Sequence, residues 1–235
     1  MRAGDDFEIP VTRDPASPQK RFLAASPRGP LSPEDYACEY LLAHGAACCY
    51  KTQNDCWSVL ARVIAGPLTG TVPLTNGYYL CAGYYRLDRS LGERQYAAFL
   101  KQATKKLGKS RAVADAWSRY RKELELTAAG RRILDSRIAV LDGFFAELLP
   151  HFTTAQAVSI SHLSYTNATG LSLRGLPDLT VLDANGTHFV EVKSPGDRVS
   201  DIQEAVHAYL SDLGLPVFAC RLAEASASPL TGVDH

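Results

Sequence analysis

No stretch of this 235-residue chain stays apolar for the roughly 18 residues that a membrane-spanning helix needs, which excludes an integral helical membrane protein. The N-terminal charges are not followed by an uninterrupted apolar core, so no secretory signal is read there. Six cysteines are present, but none forms a C-x2-C pair or stands beside a suitably spaced histidine, which excludes the usual structural zinc sites. Adjacent Cys48 and Cys49 fit a reduced interior better than a disulfide framework. Net charge is also missing: 25 Lys and Arg balance 25 Asp and Glu, so any affinity for nucleic acid has to come from local patches. No internal repeat is visible. A soluble protein of a reducing compartment, cytoplasmic by default, is expected.

What is present is enough apolar material for a core, at 46% of the chain, in a length that suits one large domain or one domain with an accessory region. Residues 1–33 hold six prolines and show neither helical nor strand period, so they read as an irregular Pro-rich arm. Residues 34–154 read as a mainly helical region. Its first helix begins at Pro33, with Ser32 as N-cap, and stops before Gly45. A second runs from about Cys56 to Ile64, while Gly77–Tyr85 is ambiguous between strand and loop. A core over residues 155–223 and a loose tail over 224–235 complete the division. Within the core, strands are expected at Leu179–Leu182 and His188–Lys193. A helix opening at Ser200 with Gln203 as capping-box partner follows, its stripe being Ile202, Ala205, Val206, Tyr209, Leu210 and Leu213. "LPVFACRL" is a final buried strand.

Eight basic residues fall between Lys101 and Lys122, among them Lys101, Lys105, Lys106, Lys109 and Arg111, with Trp117 and Tyr120 interleaved. The segment reads either as a phosphate-tracking, nucleic-acid-binding surface with aromatic contacts or as a solvated helix face whose aromatics point to the core.

Between Gly175 and Arg198, "GLPDLTVLDANGTHFVEVKSPGDR" joins two short apolar runs through Asn-Gly, the strongest short hairpin signal. With Asn185 and Gly186 at the turn centre, Thr180 faces Glu191 and Asp178 faces Lys193. Side chains two apart share a face, so Asp178, Glu191 and Lys193 point to one side. Leu179, Val181, Val190 and Val192 point to the other, toward the core. Two carboxylates are hard ligands for magnesium or manganese, and a lysine beside them can orient or deprotonate an attacking water. A surface salt bridge is the plainer reading of the same residues.

"RGLPDLTVL", "HFVEVKSPGDRVSDIQ" and "YLSDLGLPVFACRL" together resemble the VRR-NUC nucleases of the PD-(D/E)xK superfamily, most of all the nuclease region of the Fanconi-associated nuclease and its bacterial relatives. The resemblance implies an α/β fold with a restriction-endonuclease-like α-β-β-β-α-β core, here with an added mainly helical N-terminal region. It also implies cleavage of DNA with Mg2+ or Mn2+. Asp178 and Glu191 are cast as metal ligands with the Val192 carbonyl, Lys193 as the catalytic lysine, and Gln203 as an active-site residue. Gln203 is equally well read as the cap of its helix. "CEYLLAHGAACCYKTQNDCWSVLARVI" resembles the family's two upstream helices more weakly. Where such proteins carry another acidic ligand this chain has Gln53, so either Asp55 or Glu39 substitutes or the ligand there is a weak one.

The expected function is a metal-dependent endonuclease or structure-specific nuclease. It acts either in DNA repair or replication, or as an antibacterial effector delivered into a target cell and paired with an immunity protein. The expected partner is DNA, and no membrane is expected. The reading from another class is a non-catalytic nucleic-acid-binding module with a degenerate site.

Overall fold

Ser32 opens the first helix as the sequence predicts: its hydroxyl accepts the Asp35 N–H, and Pro33 occupies the first turn. The resulting α1 spans Pro33–Ala43 and ends before Gly45, whose φ of +100° is a conformation that glycine adopts without strain. The computed structural model describes residues 6–13, 22–23, 30–53, 55–65, 101, 105, 110–126, 128–163, 171 and 173–224. The Gly77–Tyr85 stretch and the tail beyond Glu224 lie outside these.

After α1 come β3 (Cys48–Lys51), α2 (Asp55–Ala65), α3 (Ser110–Glu125) and α4 (Ala128–Gly143). A π-helical turn at Phe144–Leu148 and a 3₁₀ turn at Leu149–His151 lead to α5 (Thr154–His162). The remaining elements are β4 (Leu179–Asp183), β5 (Gly186–Lys193), α6 (Asp201–Asp212) and β6 (Val217–Glu224). The expected α-β-β-β-α-β core is α1, β3, β4, β5, α6 and β6, with helices inserted between β3 and β4 rather than placed ahead of the core.

The N-terminal segment departs from the irregular arm expected for residues 1–33. Phe7–Arg13 forms β1, parallel to β6, and Phe22–Leu23 forms a short antiparallel β2. The sheet runs β2-β1-β6-β5-β4-β3. Pro10 hid this strand, because proline removes a ladder donor. It is tolerated here because β2 pairs only with Thr12 and Arg13, and Pro10 lies beyond that pairing. Ile9 and Val11 are buried on either side of it.

Hairpin register also differs from expectation. Leu179 pairs with Val190, and Asp183 with Gly186, so the turn centres on Ala184 and Asn185. The cause is local: Asp183 Oδ1 accepts the Asn185 N–H at 2.7 Å, an Asx turn that starts the reversal early. Gly186, at φ +106°, closes it. The slip is two residues, one full pleat, so every side chain keeps its face. Continued one step past the ladder, the register sets Asp178 across from Glu191 rather than Lys193.

Both faces of the sheet are covered, which corrects the expectation of a single core face. On one side Leu179, Val181, Val190 and Val192 pack with Ile9, Val11, Leu41 and Leu222 under α1. On the other, Phe189 meets Trp57 of α2 and Phe152, with the inserted helices around them. Strand β5, parallel to β6 and bonded on both edges, is buried throughout its second half, as expected of an interior strand. In α6, Val206 and Leu210 are buried as expected, but Ile202 is 45% exposed at the first turn. No helix of the described residues is long and apolar enough to cross a membrane.

Candidate active site

The turn Gly175-Leu176-Pro177 delivers Asp178 to the end of the sheet. A Cβ on Gly175 would stand 2.6 Å from the Ile202 carbonyl oxygen, so only glycine lets this turn pass beneath α6. Leu176 is fully buried, and its carbonyl accepts the side-chain amide of Gln53 at 3.1 Å. Asp178 Oδ2 then accepts the Val192 N–H at 2.9 Å, which ties the turn to β5.

Glu191 and Lys193 point to the same face of β5 and are only 2% and 6% exposed. Glu191 Oε1 holds the Lys193 ammonium at 2.8 Å and accepts from Gln203 Nε2. Lys193 Nζ also donates to Gln203 Oε1 at 3.1 Å and to the Arg198 carbonyl at 3.2 Å, so its three protons have three acceptors. Gln203 Oε1 receives the Ser200 N–H and hydroxyl as well. Gln203 therefore caps α6 and, through the same amide, bonds to both Glu191 and Lys193.

Glu191 Oε2 has no hydrogen-bond partner and is buried. His207 Nε2, one turn beyond Gln203 on α6, is buried and equally without a partner, 3.9 Å away. Burial and the neighbouring Glu191 charge raise Asp178 to about 7, against which the Val192 N–H and Lys193 pull down. Glu191 is raised by burial, with Lys193 and Gln203 opposing. Glu34, in the first turn of α1, adds its negative charge to both.

The hairpin thus brings Asp178, Glu191, Val192, Lys193 and Gln203 together. The upstream candidates fall on other elements. Glu39 lies farther along α1, and its charge is felt by Cys38. Asp55 is the first residue of α2, with its side chain outside the described residues. Gln53 donates its amide N–H to the turn that carries Asp178. Sequence reasoning missed Glu34 and His207. The available signals were an acid at the start of a capped helix and the i, i+4 spacing of Gln203 and His207, which puts both on one helix face.

In the basic segment, Lys101 and Lys105 are exposed and helical, and Arg111 falls in the first turn of α3. Lys106 and Lys109 lie outside the described residues. Trp117 and Tyr120 are buried, Trp117 stacking on Phe145 at 4.7 Å and donating to Asp142 at 3.0 Å. These two aromatics are core residues and offer no base-stacking platform.

Among the described residues no three His, Cys, Asp or Glu side chains stand at metal-binding spacing. The donor set nevertheless fits a hard divalent ion. Magnesium-type sites commonly use one or two carboxylates and complete the shell with water and substrate phosphate. A buried carboxylate oxygen left without a partner is the kind of group that such an ion satisfies.

Comparison with known proteins bears on the fold and on one span of the sequence. Crystal structures of paFAN1 bound to 2nt and 1nt 5'flap DNA with gap share the fold, with TM-scores of 0.58 and 0.56 at 17% identity. Those alignments cover 94% and 96% of this chain but 38% and 39% of the paFAN1 chains, so it spans about two-fifths of their length. No curated protein matches. The family model of the VRR-NUC domain matches residues 153–224, the span that runs from α5 through the hairpin, α6 and β6. Residues 153–224 are thus similar to the VRR-NUC domain, and Asp178, Glu191, Lys193 and Gln203 lie within the matched span.

Proposed function

We propose that the chain is a metal-dependent DNA nuclease that hydrolyses phosphodiester bonds. The observation that carries this reading is Glu191. It is a buried carboxylate with one oxygen committed to Lys193 and Gln203 and the other unpartnered, beside the half-buried Asp178. Lys193 brings one positive charge to two acids sharing one site, so a further cation is needed for both to ionise cheaply. Asp178 and Glu191, with the Val192 carbonyl, would hold Mg2+ or Mn2+, and Glu34 is the upstream acid placed to add charge. Such an ion, when bound, polarises the phosphodiester and lowers the pKa of water.

The protein's own groups do the rest. Lys193, held by Glu191 and Gln203, is positioned to orient the attacking water and offset charge developing on the phosphate. Gln203 fixes both partners, and the Ser200 cap fixes Gln203. Lys101, Lys105, Lys106, Lys109 and Arg111 would supply phosphate contacts along the DNA. Because Gln53 has a structural task, its neutrality gives no support to a degenerate, binding-only site. The DNA in the paFAN1 complexes makes a 5′-flapped duplex the first substrate to try. A repair or replication enzyme and a toxin effector inhibited by an immunity protein would share this chemistry.

The test is cleavage of plasmid, nicked, single-stranded and 5′-flap DNA with magnesium, manganese or chelator. Metal-dependent cutting that Glu191→Gln removes is expected. Cutting that persists in excess chelator would overturn the metal-dependent reading.

A further inference from the structure

Glu191 Oε1 is saturated by Lys193 and Gln203, so only Oε2 remains to take an ion. That oxygen faces His207 Nε2 across 3.9 Å, and both atoms are buried with no hydrogen bond. The gap is too long for a direct bond and suits a bound third body. Two donors each about 2.1 Å from a shared ion stand about 3 to 4 Å apart, depending on the angle between them. We propose that His207 supplies a nitrogen ligand to the divalent ion held by Glu191, and that the site consequently favours manganese over magnesium.

Fold geometry supports this arrangement. His207 is four residues after Gln203, so one face of α6 presents both side chains to Glu191 from opposite carboxylate oxygens. The Ser200 capping box and the buried Val206 and Leu210 hold that face in place. Magnesium is hard and retains oxygen ligands, whereas manganese, a transition ion, accepts imidazole nitrogen.

The inference rests on the metal-dependent reading above, and one experiment separates their failures. Full-length protein, His207→Ala, His207→Gln and Glu191→Gln would be titrated with Mn2+ and Mg2+ by calorimetry. Mn2+ bound to each would be examined by electron spin echo modulation for nitrogen coupling, with circular dichroism to confirm folding. Nitrogen modulation is expected in the unmodified protein and absent in both His207 variants. Mn2+ affinity should fall about tenfold or more in those variants and Mg2+ affinity by less than about twofold. Unchanged modulation and Mn2+ affinity in a folded His207 variant would overturn the nitrogen ligand alone. Equal Mn2+ binding by unmodified protein and Glu191→Gln would overturn the metal site itself. His207→Gln keeps a polar side chain of similar reach and carries the test should the alanine variant unfold.

Discussion

At the residue scale, burial changes how the site has to be probed. Glu191 and Lys193 form a buried pair, and removing one partner strands the other charge at a cost of about 3–5 kcal/mol. Lys193→Ala is therefore expected to lose both activity and stability. Asp178→Asn should lose cleavage by about a hundredfold or more while circular dichroism and melting temperature stay near normal, whereas Glu191→Gln should lose cleavage to the same degree and keep its fold at a lowered melting temperature, since it leaves the Lys193 charge buried without its carboxylate. Cleavage surviving in both would remove these residues from the mechanism. The raised Asp178 also predicts a pH effect on metal-free protein. A carboxyl bound to its proton more tightly when folded stabilises the fold below its ordinary value of 3.8. That contribution is lost as pH rises toward about 7. Metal-free protein should thus melt at progressively lower temperature between about pH 4 and pH 7, less so in Asp178→Asn, and divalent metal should restore the loss. The acid pair and its lysine were legible in sequence because strand alternation alone puts them on one face. Glu34 and His207 were not, since their closeness to Glu191 depends on how α1 and α6 pack on the sheet.

At the scale of elements, the site hangs on one turn and one cap. The Gln53 amide satisfies the Leu176 carbonyl, buried two residues before Asp178. Gln53→Ala should cost about 1–3 kcal/mol and weaken metal binding without touching any ligand. Gln53→Glu tests the same point sharply: a replaced ligand would be restored by glutamate, whereas a clamp loses its N–H donor. Weaker Mn2+ binding by Gln53→Glu, measured by calorimetry, is the expected outcome, and tighter binding would return this position to the ligand set. Ser200→Ala should cost about 1 kcal/mol and lower turnover, because the same glutamine caps α6 and holds Glu191 and Lys193. Helix α6 was readable from its capping box, and α1 from Ser32-Pro33. The hairpin was readable in kind but not in register, because the Asp183 side chain moved the turn and a side-chain bond of this sort leaves no trace in an apolar-polar pattern.

At the scale of the whole molecule, the sheet separates two tasks. The face under α1 forms a packed base, while the opposite face carries Glu191 and Lys193 against α6 and packs the inserted helices α2 to α5. The sequence did not show this because β5 reads as alternating, although a strand bonded on both edges in a covered sheet buries its polar positions too. The second half of the basic segment lies on α3, which packs into the helical cover of the sheet. Trp117 and Tyr120 face its core, so affinity for DNA from that segment has to be electrostatic. Neutralising exposed Lys101 and Lys105 together should reduce the slope of log affinity against log salt by up to about 0.9 for each duplex phosphate that is no longer paired with a lysine. The reduction should be equal for unrelated DNA sequences, since phosphate contacts carry no base information. Turnover at saturating DNA should hold steady, because neither residue touches the acid pair. Anisotropy titrations at several salt concentrations, with Glu191→Gln as the background to prevent cutting, measure the slope directly. An unaltered slope would mean that these lysines are solvated charges and that the DNA path runs over another face of the sheet's helical cover.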